Sequence, residues 1–157
     1  MSAISAVGLR KTYGDGDEAV EAVRGVDLDV AEGEVFGFLG PNGAGKSTTV
    51  RMLTTLMTLS GGTAYVGGVD VTVDPNGARR KIGVALQEAG LDDRQTGRET
   101  LVLQCRLFGM SKPAASDRAA ELLALVELEQ SADRRVKGYS GGMKRRLDLA
   151  SALVHQP

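Results

Sequence analysis

The sequence predicts an α/β fold: a β-rich half built on a strand that runs into a glycine-rich loop and a helix, followed by an inserted helical segment. Three observations predict it. The apolar run Val35-Phe36-Gly37-Phe38-Leu39 leads directly into Gly40-Pro41-Asn42-Gly43-Ala44-Gly45-Lys46-Ser47-Thr48, after which apolar residues recur at helical spacing. Ala22 to Val30 alternates, with Val26, Leu28 and Val30 on one face, as in a half-buried strand. From about Leu91 to residue 137 the pattern becomes helical.

Taken in order, residues 3–13 and 19–31 read as strands joined by the turn Gly14-Asp15-Gly16-Asp17. The run 35–39 reads as a buried strand. Beyond the glycine-rich loop, Val50, Leu53 and Met57 with Met52 and Leu56 make one helix face, which Ser60-Gly61-Gly62 stops. Thr63 to Val71 returns to strand, with Gly67-Gly68 as a break, and Asp74-Pro75-Asn76 opens a short basic helix ending near Lys81. Ile82 to Leu86 reads as a short buried strand with Gln87 at its end. Thr96-Gly97-Arg98-Glu99 has the form of a capping box and introduces Leu101, Cys105 and Phe108 at helical spacing, closed by Gly109. Ser111 to Leu128 gives a further helix with Leu122, Leu123 and Val126 on one face.

Composition narrows the function classes. The 157 residues carry a formal net charge of −1, so there is no basic footprint for nucleic acid or an anionic membrane. With no Trp, three Tyr and three Phe, the core falls to aliphatic residues and Ala. One cysteine, Cys105, excludes an internal disulfide and sits at a helical apolar position, where it reads as core rather than nucleophile. No segment approaches 18 apolar residues, and the start at Met1 lacks the basic region and apolar length of a signal peptide.

Residues 40–48 fit G-x-x-x-x-G-K-[ST], the phosphate-cradling loop. A strand, a glycine turn and a helix start present several backbone N–H groups to one anion, and the helix dipole adds about half a positive charge. Glycines let the backbone approach the phosphates, Lys46 reaches the outer phosphates, and the Ser47 hydroxyl faces Mg²⁺. Gly is 21 of the 157 residues, yet a chance match over this length has a probability of only roughly 1%.

A second stretch, Tyr139-Ser140-Gly141-Gly142-Met143, opens another helix. Ser140 reads as its N-cap and Gly141-Gly142 as an open first turn, with Leu147, Ala150 and Leu153–Val154 as the buried stripe. On residues alone this is more often just a cap than an anion site.

Together the two motifs resemble the ABC-type ATPases, the nucleotide-binding domains of ATP-driven transporters. That family's signature loop reads Leu-Ser-Gly-Gly-Gln; here Tyr139 stands for the Leu and Met143 for the Gln. The Tyr-Ser-Gly-Gly-Met form, the following Arg145-Arg146-Leu147-Asp148-Leu149-Ala150 and Thr96-Gly97-Arg98-Glu99 are most similar to drug exporters of the daunorubicin-resistance type. The resemblance implies a P-loop NTPase fold, with a RecA-like core, an antiparallel β subdomain and an inserted helical subdomain. It makes residues 1–157 one ATP-binding domain: 1–90 the β-rich part and P-loop core, 91–137 the helical subdomain, 138–157 the signature loop and helix. It also implies that Tyr13 stacks on adenine and that Gln87, as the Q-loop glutamine, joins Ser47 in holding Mg²⁺.

The chain stops at His155-Gln156-Pro157. The resemblance puts the Walker B aspartate, the catalytic glutamate, a loop aspartate and the switch histidine beyond this point. The chain is therefore expected to be the N-terminal part of a longer protein, with C-terminal core strands missing, no catalytic residue present and no hydrolysis of its own. The open edge left on a parallel sheet would favour aggregation. His155 reads as a surface residue at a helix end, and Glu88, Asp92 and Asp93 as a solvated loop.

The expected function is the ATP-binding subunit of a bacterial ABC exporter for a drug-like or antibiotic compound. ATP and Mg²⁺ are the expected ligands. Ser140-Gly141-Gly142 would contact the γ-phosphate held by a second copy in a head-to-tail dimer. An integral membrane permease would dock near the Q-loop and residues 91–110, holding the chain at the cytoplasmic face of the membrane. A non-transport ABC ATPase of translation or DNA repair, and a non-hydrolysing nucleotide-binding module, are the alternatives.

Overall fold

The computed structural model describes residues 2–85 and 90–157. It divides into two compact units, Met1–Ile82 and Gly83–Pro157.

In the first unit, β1 (Ser2–Tyr13), β2 (Val20–Ala31), β3 (Gly61–Val66) and β4 (Val69–Asp70) form an antiparallel sheet in the order β2-β1-β3-β4. Helices α1 (Lys46–Leu53) and α2 (Pro75–Lys81) complete it. Alternation along the strands turns Ala6, Val23, Ala64 and Val66 inward, where they join Leu9, Met52, Leu53, Val71 and Ala78 in one core. Asp74 caps α2 by accepting from the Gly77 N–H at 2.7 Å, and Pro75 fills the first helical position, as expected. Gly62, at φ +81, lies so close to the Val7 and Gly8 carbonyls that a Cβ there would overlap both. Only glycine lets β3 pass β1 at that bulge.

Three expected elements differ. The run Val35–Leu39 forms no strand: Val35 is 100% and Leu39 91% exposed, and no described strand pairs with it. A strand exists only through its ladder, and the described ladders join β2 to β1, β1 to β3 and β3 to β4, none of them reaching this run. For the same reason Ile82–Ala85 is not a strand among the described residues. Helix α1 ends at Leu53, well before Ser60-Gly61-Gly62. Thr54 turns its hydroxyl onto the Val50 carbonyl at 2.9 Å, Thr55 follows in the left-handed region at φ +59, and Leu56 faces solvent.

The second unit packs α3 (Gly97–Leu107), α4 (Lys112–Leu125) and α5 (Gly141–Ala152) around Leu101, Cys105, Leu122, Leu123, Leu128, Val136, Leu147, Ala150 and Val154. The capping box forms as expected: Thr96 Oγ1 accepts from the Glu99 N–H at 3.1 Å, and Glu99 Oε2 accepts from the Thr96 N–H at 2.8 Å. Fully buried Ala115 and Ala119 leave little bulk on the inner face of α4. Arg118 reaches past its own helix to the carbonyls after α5, donating to Leu153 at 2.8 Å and Val154 at 3.3 Å.

Here too there are departures. Leu153 lies outside the buried stripe, at 39% exposure. Phe108 caps the end of α3 half exposed and stacks on His155, with ring centroids 4.1 Å apart and planes 7° from parallel. That stack makes His155 a half-buried packing residue rather than a surface one. The loop carrying Asp92 and Asp93 is tied down rather than merely solvated. Asp92 holds Arg94 at 3.1 Å, Asp93 holds Lys144 at 2.6 Å, and the Asp93 and Gln95 carbonyls accept from the Lys137 and Val136 N–H groups.

Candidate functional site

The loop before α1 is built by two glycines. Gly43 and Gly45 both take φ +83, a conformation that glycine adopts at no steric cost. Ala44 closes a turn by donating to the Pro41 carbonyl at 3.3 Å. Gly45 has a second reason to be glycine: a Cβ there would overlap the Ala22 carbonyl of β2 and come within 3.0 Å of Val23 Cγ2. Around Gly43 a Cβ would meet nothing within 4 Å. Gly45 therefore seats the loop on β2, while Gly43 shapes its open side.

Helix α1 begins immediately after. Its first backbone bond runs from Thr49 N–H to the Gly45 carbonyl at 2.8 Å, so the N–H groups of Lys46, Ser47 and Thr48 have no intrahelical acceptor. Lys46 folds back, donating from Nζ to the carbonyls of Gly40 at 2.6 Å and Pro41 at 2.7 Å. Pro41, Asn42, Gly43, Ala44 and Ser47 are exposed, whereas Thr49 is buried at 1%. N–H groups without an intrahelical acceptor, a helix start and one ammonium fit an anion. For a metal the donors are oxygens: the Ser47 hydroxyl stands at the helix start, and among the described residues no cluster of three His, Cys, Asp or Glu exists. A hydroxyl oxygen is a donor of the kind that Mg²⁺ takes, with phosphate oxygens to complete its shell.

Tyr13 ends β1 opposite Val20, two residues before the Ala22 that seats Gly45. Its ring is 40% exposed, its hydroxyl donates to Met57 Sδ at 3.0 Å, and Lys11 Nζ lies 5.6 Å from the ring centre. Gln87, expected at a metal, lies outside the described residues.

In the second unit Ser140 caps α5, its Oγ accepting from the Met143 N–H at 3.2 Å. Ser140, Gly141 and Gly142 are exposed, and a Cβ on either glycine would meet nothing within 4 Å. Neither takes a positive φ, so the chain itself has no use for glycine at these two positions. Asp148, one face round the helix, has its carboxyl pushed up by burial, with Arg145 at 3.2 Å offsetting part of the shift. Cys105 is fully buried and its thiol is pushed up by that burial, which makes it core rather than nucleophile, as the sequence implied. The contact of Gly45 with Ala22 escaped sequence reasoning, because a backbone carbonyl leaves no mark in the sequence.

Residues 23–157 match the ABC transporter family. The chain belongs to the ABC transporter family. It is 51% identical over 155 residues to the daunorubicin/doxorubicin resistance ATP-binding protein DrrA of Streptomyces peucetius, covering 99% of this chain and 46% of that one. It is 44% identical over 155 residues to the Nod factor export ATP-binding protein I of Rhizobium sp. (strain N33), covering 99% of this chain and 50% of that one. Among solved structures it is similar to a dimeric ATP-binding cassette in a post-hydrolysis state bound to ADP and Pi. The TM-score is 0.83 at 31% identity, over 98% of this chain and 70% of the cassette. The fold is thus that of the ABC ATPase cassettes. The chain spans about half the length of the curated relatives it matches. Among the described residues no helix is long and apolar enough to cross a membrane.

Proposed function

We propose that this chain is the nucleotide-binding portion of the ATP-binding subunit of a bacterial ABC exporter that moves a drug-like or antibiotic compound through a separate membrane permease. The observation that carries the reading is the Gly40–Thr48 loop: two left-handed glycines, a helix start with unmatched N–H groups, and Lys46 at its end. The kinship with resistance and export proteins supports the transport side.

In this reading Gly40 to Thr48 holds the phosphates of ATP, and Tyr13 stacks on adenine from the end of β1. Ser47 and Gln87 hold Mg²⁺, which when bound supplies charge neutralisation to the phosphate oxygens. The exposed Ser140-Gly141-Gly142 turn meets the nucleotide of a second copy in a head-to-tail dimer. The permease docks beside the Q-loop and residues 91–110, at the cytoplasmic face of the membrane.

Residues 1–157 alone bind ATP without turning it over. Phosphoryl transfer needs a group to orient the attacking water. Of the three carboxylates expected near the Q-loop, Asp92 pairs with Arg94 and Asp93 with Lys144, and Glu88 lies outside the described residues. Equilibrium binding of a fluorescent ATP analogue, with and without Mg²⁺, tests the site, and phosphate release beside a Lys46→Ala control tests the chemistry. Saturable Mg²⁺-dependent binding with release equal to the control is expected. No binding sinks the nucleotide reading; turnover well above the control overturns the hydrolysis-deficient one.

A further inference from the structure

Gly97 opens α3, and nothing in its backbone requires glycine: its φ is not positive, and a glycine inside a helix is a net cost. The side chain of Tyr139 accounts for it. A Cβ on Gly97 would overlap the Tyr139 hydroxyl oxygen and lie 3.3 Å from Cζ. That hydroxyl donates to the Ser131 carbonyl at 2.6 Å, and Arg134 covers the ring at 5.4 Å from its centre. Tyr139 is 6% exposed, and burial holds its phenol above its ordinary value against the pull of Arg134 and of the Gly97 backbone amide. The residue after this anchored ring is Ser140, whose cap on Met143 starts the Gly141-Gly142 turn. A Cβ on either glycine would meet nothing within 4 Å, and the turn is held to the rest of the unit by its flanks, buried Tyr139 on one side and half-buried Met143 on the other.

We propose that Tyr139 is a positioning residue for the Ser140-Gly141-Gly142 turn, and that Gly97 is the socket its hydroxyl occupies. This rests on the reading of the turn as the contact to a second copy's nucleotide. It gives Thr96-Gly97-Arg98-Glu99 and Tyr139-Ser140-Gly141-Gly142 a physical link: they are two halves of one contact. A phenol at 139 demands glycine at 97; without the hydroxyl the overlap is gone and a closer-than-usual approach to Cζ at 3.3 Å is what remains.

The test combines three variants, Gly97→Ala, Tyr139→Phe and the pair together, with two readouts. The first is amide hydrogen exchange at Met143 and Lys144, with α4 as an internal control. The second is ATP-dependent self-association by light scattering, set beside the affinity for a fluorescent ATP analogue. Gly97→Ala is expected to speed exchange at Met143 and Lys144 and to weaken self-association, each by about tenfold or more, with α4 exchange and analogue affinity within about twofold of the parent. Tyr139→Phe shifts both readouts the same way by less. The double variant should lie close to Tyr139→Phe and well short of the summed losses, because the overlapping atom is gone and only the 3.3 Å approach to Cζ remains. Additive losses in the double variant, or parental exchange at Met143 in Tyr139→Phe, overturn the proposal. Should Gly97→Ala fail to fold, Tyr139→Phe decides by exchange. A parent that does not self-associate with ATP overturns the reading of the turn as a nucleotide contact, while exchange still decides what Tyr139 does.

Discussion

Lys46 Nζ donates to the Gly40 carbonyl at 2.6 Å, closing the glycine-rich loop on itself through its own ammonium. The same charge is the one that a bound polyphosphate needs. Hydrogen bonds to charged groups contribute about 1.5–3 kcal/mol each. Lys46→Ala is therefore expected to weaken a fluorescent ATP analogue by roughly 10- to 150-fold or more. The carbonyls it leaves behind belong to exposed residues, so the thermal transition should hardly move. Parental affinity in this variant would mean that the loop does not hold phosphate.

Gly43 and Gly45 share φ +83 but not their surroundings. Alanine at Gly43 meets open space and bears only the left-handed backbone cost, about 1 kcal/mol. Alanine at Gly45 bears that cost and drives its Cβ into the Ala22 carbonyl, so β2 or the loop has to shift. Denaturant titration should show Gly45→Ala as the more destabilised of the two. Equal losses would contradict the contact with β2.

Tyr13 gives the adenine reading a direct check. Tyr13→Ala should cost roughly 1–3 kcal/mol of ATP affinity, the scale of aromatic–base stacking, and Tyr13→Trp should retain it. Tyr13→Phe loses only the 3.0 Å bond to Met57 Sδ and should bind as the parent does. If Ala and Trp both match the parent, the ring belongs to the fold alone.

Asp148 carries a pH signature. Burial raises its pKa above the ordinary aspartate value, so the folded chain binds this proton more readily than the unfolded one. The contribution is complete below the unfolded pKa and is lost as pH rises through the folded one. At neutral pH the carboxylate is thus a cost, partly offset by Arg145. Thermal melts of Asp148→Asn against the parent should favour the variant most at pH 7, with the gap closing as pH falls through the carboxylate range. A gap that widens in acid would reverse the assignment.

Local signals were legible in the sequence wherever one short segment sufficed. The capping box at Thr96, the Asp74-Pro75 helix start, the Ser140 cap and the β1–β2 hairpin all form where the residues put them. The helix after the loop was overread because Met57 and Leu56 continue its period, while Thr54 and Thr55 end it through side-chain bonding and a positive φ. Val35–Leu39 shows the other limit: apolar content argues for a strand, but only a ladder partner makes one. The Gly97–Tyr139 contact spans 42 positions and could not be read from either motif alone.

Among the described residues the two cores have no member in common: one draws on positions 4 to 82, the other on 91 to 154. Cooperativity in a protein follows shared burial, so each core can melt as its own unit. A destabilising change at Leu9 should register more strongly in the exchange rates of the sheet than in those of α3, α4 and α5. A change at Leu122 should do the reverse. Calorimetry on this chain would then trace two overlapping heat-absorption events in place of one all-or-none transition, and a single melting temperature would describe neither.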